Sequence, residues 1–114
     1  LVNIIANIII ADPQENPKWI AKWKARPKEL MVHPSGCLLD RDDITARLGE
    51  ITCPAIIIHG TNDTAISAER AEALKKGLRN SEAIVWVDGA AHAANLTHPQ
   101  AVNPPLRAFL ERVA

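Results

Sequence analysis

Pro54 to Asp63 reads PAIIIHGTND, and the rest of the chain is organised around it. Ala55 to His59 is a short apolar run, rich in β-branched residues, between Pro54 and Gly60. That pattern predicts a strand buried on both faces, as in a parallel sheet. Gly60-Thr61-Asn62 then turns the chain and delivers Asp63 just past the strand end. Ala83 to Val87 is a second apolar strand, followed by Asp88-Gly89-Ala90-Ala91-His92. Two strands therefore end in Gly-containing turns, one carrying a carboxylate and the other an imidazole. Ligands of open α/β sheets bind outside the carboxyl ends of the strands, so Asp63 and His92 form the candidate site.

Between the strands, Ser67 stands as an N-cap before a helix over Ala68 to Leu78. Glu69 and Glu72 lie near its positive end, and Lys75, Lys76 and Arg79 near its negative end. Ala71, Leu74 and Leu78 are its inward residues. Strand, helix and strand make a parallel β-α-β unit, whose crossover is right-handed in nearly all cases. Beyond His92, a loop over Ala93 to Thr97 leads to a last helix, roughly Pro99 to Val113. Its predicted core residues are Val102, Leu106, Phe109, Leu110 and Val113. Pro104 and Pro105 predict a kink, or a helix start near Asn103, because proline removes backbone donors.

The first half reads as helical. Val2, Ile5 and Ile9 fit a helical stripe, and Asn3, Ala6 and Asn7 break strict alternation, so Leu1 to Ala11 is expected as helix rather than strand. Asn16 is a natural N-cap with Pro17 at the first helical position. A helix to about Ala25 follows, with Trp19 and Trp23 four apart on one face beside Ile20. Arg26-Pro27 stops it. Lys28 to Val32 is a short turn, and His33-Pro34-Ser35-Gly36 a loop. A short helix from Asp40 or Arg41 carries Ile44 and Leu48, and Gly49 ends it in the C′ manner.

The 114 residues suffice for one small domain with one core. Thirteen basic and thirteen acidic residues give a net charge of +0, which argues against a nucleic-acid or polybasic membrane surface. The N-terminal apolar run is too short to span a bilayer and lacks a basic flank, which argues against a signal peptide. An apolar start without Met reads as a fragment, a processed chain or an engineered one. Cys37 and Cys53 share no spacing motif and are expected as buried free thiols rather than a disulfide. Thiols of that kind, without a signal segment, point to the cytoplasm. No cofactor motif is present: no G-x-G-x-x-G, no P-loop and no Cys cluster.

Residues 53–113 resemble the C-terminal end of an α/β-hydrolase. The resemblance rests on PAIIIHG, the GTND turn, the helix SAERAEALKKGL, the strand AIVWVDG, the segment GAAHAANLTHP and the closing helix. In that family the triad acid sits in a G-x-x-D turn and the histidine in a G-x-x-H loop after the next strand. Asp63 and His92 match those positions, and the family order is nucleophile, acid, histidine. Residues 1–52 are similar, more weakly, to the helical cap inserted ahead of these strands. The resemblance thus implies a cap-like segment over 1–52 and a C-terminal hydrolase part over 53–114. It implies an ester or related carbonyl substrate. Trp19 and Trp23 are candidates to line a pocket under the cap, with helix-face core packing or partner contact as the equal alternative.

The departure is the nucleophile. No G-x-S-x-G elbow occurs here. Ser35 lacks the first glycine and a preceding strand, Ser67 is explained as a cap, and Ser81 as a turn residue. The chain is therefore expected to supply an acid and a histidine but little hydrolysis alone. Epoxide hydrolase or haloalkane dehalogenase ancestry, with an Asp nucleophile, stays open because that choice lies in the elbow. A second expectation is structural: without a preceding strand, the edge Ala55 to His59 recruits another chain. That chain is either the missing N-terminal hydrolase half or a second copy, paired across a two-fold axis or exchanging the Ile-rich segment. A third is residual general-base activity from Asp63 and His92 on an activated ester. His59 is read as structural, His98 as a cap or an exposed residue, and the acidic cluster Asp40, Asp42 and Asp43 as a helix-start preference. A metal site from His59, Asp63, His92 and His98 is set aside for want of tight ligand spacing.

Overall fold

The computed structural model describes residues 1–114. Its centre is a parallel pair, β1 (Ile58–Gly60) and β2 (Val85–Val87), in the register Ile58 to Val85, His59 to Trp86 and Gly60 to Val87. An isolated parallel bridge joins Ala55 to Ser81, so the two segments run side by side from Ala55 onward. The regular strands are shorter than the apolar runs that predict them. Ile57, His59 and Gly60 are buried, whereas Ala55, Ile56 and Ile58 are half-buried, so the strand is not sealed on both faces. The sheet has two strands only, leaving the outer edge of β1 open.

Helix α1 covers Val2–Ile9, as the broken alternation predicts. Its buried side is Ala6, with Ile10 just beyond, and Ile5 is exposed. Ala11 closes it at φ 51°, a left-handed conformation that ordinarily favours glycine. Helix α2, Asn16–Lys24, packs on α1. Its cap position is Glu15, not Asn16; Asp12 Oδ1 accepts the Gln14 and Glu15 amides instead (both 2.8 Å). The Trp19 and Trp23 rings lie 6.1 Å apart, with the Lys22 ammonium over Trp19.

The expected loop at His33–Gly36 is instead part of helix α3, Val32–Leu39, which continues a 3₁₀ turn over Lys28–Met31. Pro34 falls in the first turn of α3, where its missing N–H would have had no helical partner. The helix expected from Asp40 is a 3₁₀ turn over Thr45–Glu50. Asp43 Oδ1 opens it by accepting the Thr45 amide (2.9 Å) and hydroxyl (2.6 Å). Leu48 is buried there, Ile44 is exposed, and Gly49 lies inside the turn rather than ending it.

Helix α4, Ala68–Gly77, crosses between the strands. Ser67 holds the cap position, but its hydroxyl bonds no helical amide. Ala71 is buried and Leu78 half-buried, while Leu74 is exposed. The loop after His92 contains a short helix, α5 (Ala94–Thr97), which patterning alone does not reveal. Helix α6 runs unbroken over Pro99–Val113. Pro104 and Pro105 fit because their fixed φ is helical; the carbonyls of Gln100 and Ala101 lose their amide partners but lie on exposed residues. Val102 and Phe109 are buried, Leu106 is half-buried, and Leu110 and Val113 are exposed, against expectation. Cys37 and Cys53 are free, and both are exposed rather than buried.

The main core is small: Val87, Ala90, Ala94 and Val102, with Ile58 packed against them. Only 13 of 114 residues are buried. The accessible surface is 8418 Å², against roughly 6,100 Å² for a folded monomer of this mass. The radius of gyration, 16.0 Å, likewise exceeds the roughly 13 Å expected of a compact chain this long. Large apolar side chains contribute to the excess surface: Leu1, Ile4, Leu30, Met31, Val32, Leu38 and Leu39 are all exposed. No helix is long and apolar enough to cross a membrane.

Candidate functional site

Parallel neighbours lie about 5 Å apart, so turns leaving the same end of β1 and β2 start side by side. Hydrogen bonds lace them together. The Thr61 amide donates to Val87 O (3.0 Å) and the Asn62 amide to Ala90 O (2.9 Å). The Gly89 amide donates to Thr61 Oγ1 (2.9 Å), and Asn62 Nδ2 to Gly89 O (3.4 Å). Gly89 takes φ 72°, the left-handed turn that aims the chain toward His92. The Ala93 amide donates to Ile9 O (2.7 Å), tying the histidine loop to the end of α1.

Asp63 and His92 meet within this lacing. His92 Nδ1 lies 2.8 Å from Asp63 Oδ2, and the Asp63 side chain is only 4% exposed. Asp63 Oδ1 accepts the amides of Ala65 (2.8 Å) and Ile66 (3.0 Å), which fixes the carboxylate plane. Burial pushes the Asp63 carboxyl up, but the Ile66 amide, His92 and the Ala65 amide outweigh it and hold the group below the usual carboxylate range. An ionised carboxylate only accepts. His92 therefore donates from Nδ1, and the carboxylate leaves its Nε2 unengaged, on a side chain 41% exposed.

That lowered carboxyl sets a pH dependence. An unfolded Asp titrates at about 3.9, and Asp63 titrates lower when folded. Its stabilisation is therefore fully present above about pH 4 and is lost as pH falls through the lowered folded value. Asp63→Asn should flatten the acid limb of stability in urea melts between about pH 5 and pH 2. An unchanged limb would show that the carboxylate contacts contribute nothing to the fold.

The other candidates are distributed differently. Trp19 and Trp23 line a cleft of about 250 Å³ with Ile9, Ile10, Ala93 and Leu96, so they lie beside the residue that follows His92. Trp23 also borders a larger apolar cleft of about 710 Å³ with Val2, Ile5 and Met31. His98 is half-buried, with Nδ1 2.8 Å from Thr97 Oγ1, and does not join the site. The Ser81 hydroxyl donates to Lys75 O (3.0 Å). No three His, Cys, Asp or Glu side chains are placed to hold a metal ion. Sequence reasoning misses two features. One is the lacing by Thr61 and Asn62, whose only sign is polar residues at the strand end. The other is the approach of His59, read from the sequence as structural only, whose Nε2 lies 3.9 Å from Asp63 Oδ2.

The family described as TAP-like protein matches residues 15–113. A protein of Agrobacterium fabrum with the provisional name carbamate hydrolase RutD is 40% identical over 68 residues, covering 60% of this chain and 26% of that protein. The (E)-2-((N-methylformamido)methylene)succinate hydrolase of Acinetobacter baylyi is 36% identical over 62 residues, covering 54% and 23%. A Synechocystis protein provisionally named non-heme chloroperoxidase is 40% identical over 72 residues, covering 62% and 24%. The chain thus spans about a quarter of the length of these relatives. No solved structure matches it.

Proposed function

The chain belongs to the TAP-like family of α/β-hydrolases, and from that premise we propose that Asp63 and His92 are the acid and the base of a hydrolytic relay on an ester or related carbonyl substrate. The observation that carries this reading is the 2.8 Å contact from His92 Nδ1 to a carboxylate whose other oxygen is already held by two amides. In such a relay the exposed His92 Nε2 takes the proton of a nucleophile and returns it to the leaving group. Asp63 holds the tautomer and stabilises the imidazolium. The names of two relatives as hydrolases support the reaction class. The nucleophile, in this reading, comes from polypeptide outside these 114 residues, since no G-x-S-x-G elbow lies within them. Residues 1–52 act as a cap, with Trp19 and Trp23 walling the cleft next to the histidine loop.

The test is reconstitution. The chain is mixed with the N-terminal three-quarters of a hydrolase relative, and p-nitrophenyl acetate cleavage is followed. A rate at least about 100-fold above either part alone, abolished by His92→Ala, is expected on the scale that a positioned base contributes. A stable mixed complex without any gain in rate would sink the relay.

The surface excess and the open β1 edge favour a second reading, in which the Ala55 to His59 edge pairs with a second copy of the chain. Light scattering at micromolar concentration should then report a dimer or larger species. A stable monomer excludes self-pairing and leaves the hydrolase part as the occupant of that edge.

A further inference from the structure

We propose that His59 is a positioning residue, a second N–H donor held in reserve for Asp63 Oδ2 when His92 moves off it. The proposal rests on reading Asp63 and His92 as a relay. Asp63 Oδ1 is satisfied by two backbone amides, but Oδ2 has one partner, His92. That partner is a side chain 41% exposed, so water competes for its ring and its hold on Oδ2 is open to fluctuation. Without it, Oδ2 would be a buried anionic oxygen with no donor, an expensive state.

His59 answers that need geometrically. Its side chain is 10% exposed, and its Nε2 lies 3.9 Å from Oδ2, about 1 Å beyond hydrogen-bond length. Nε2 is buried and bonds nothing else. A bare lone pair facing a carboxylate would be repelled, so the proton belongs on Nε2. The ring is steadied by its cross-strand neighbour Trp86, edge to face at 5.5 Å and 87°. An unpaired donor and an oxygen that can lose its partner thus face each other. A small approach joins them while His92 is away, and its return releases them. No proton is transferred and His59 touches no substrate.

The experiment is a double-mutant cycle read by carboxyl NMR titration of Asp63. His59→Phe keeps the ring beside Trp86 and removes the donor; His92→Ala removes the resident partner. Either change alone should move the Asp63 midpoint by well under one pH unit. Together they should raise it by about one unit or more. His59→Gln, which places an amide donor near Nε2, should bring it back down in the His92→Ala background. A His92→Ala midpoint already as high as the double variant's overturns the proposal, as does failure of the glutamine to restore it. If the double variant does not fold, long-range ¹H–¹⁵N spectra of His92→Ala decide. A protonated, hydrogen-bonded His59 Nε2 is expected, and a bare Nε2 overturns the idea. None of these readouts requires hydrolysis, so a failed reconstitution and a failed reserve donor are separate results.

Discussion

Gly60→Ala should destabilise the chain by about 3 kcal/mol, the upper end of overpacking costs, and displace His92. Gly60 ends β1 opposite Val87. A Cβ there would lie 2.2 Å from Ala90 O, 2.5 Å from Ala91 O and 2.7 Å from Ala90 C. All three are backbone atoms, so no side chain can swing aside to make room. Relief requires moving Ala90 and Ala91, the two residues before His92. That movement breaks the Asn62 bond to Ala90 O and draws the imidazole from Asp63. Gly89→Ala is the control. Its Cβ meets nothing within 4 Å, so the cost is the left-handed φ alone, about 1 kcal/mol. Urea melts rank the two variants, and the His92 Nδ1–H resonance reports the contact. Equal midpoints for the two variants would refute the close approach at Gly60.

In the reconstituted hydrolase, Asp63→Asn should lower kcat about 10⁴-fold with little change in KM. The expected loss comes from proton placement rather than charge alone. The substituted amide would put an N–H or a weaker carbonyl where Oδ2 now accepts from His92 Nδ1. Facing an N–H, the ring moves its proton to Nε2, the atom that must accept. His92→Ala removes that atom and should cost about 10⁶-fold, leaving only the acceleration of the oxyanion site and binding. The two changes act on one unit, so the double variant should be little worse than the worse single one. Asp63→Asn retaining a tenth of kcat would show that the carboxylate does not set the tautomer.

Much of the second half is legible because two local rules agree there. Alternation of apolar runs with Gly-containing turns marks both strands, and the helix between them is the crossover that a parallel pair requires. The same turns mark Asp63 and His92. Elsewhere the apolar stripes identify a face without saying what covers it. Leu74, Leu110 and Val113 continue real helical stripes, yet they are exposed because nothing in these 114 residues packs against them. His33 to Gly36 reads as a turn by composition, but proline in a first helical turn gives up no bond, so α3 forms. Pro104 and Pro105 mislead for a related reason: the penalty falls on two carbonyls of exposed residues.

By itself, the order of residues determined the parallel β-α-β unit, the helical N-terminal half and the two turns that carry an acid and an imidazole. These are local properties, set by turn chemistry and side-chain period within a few residues. Only the tertiary structure decided that Asp63 and His92 touch and that the carboxylate is held by Ala65 and Ile66. It also decided that His59 waits 3.9 Å away. Such contacts depend on the register of β1 against β2 and on the bonds of Thr61 and Asn62 across the turns. The acid and the imidazole stand 29 positions apart, a separation over which no local pattern carries information.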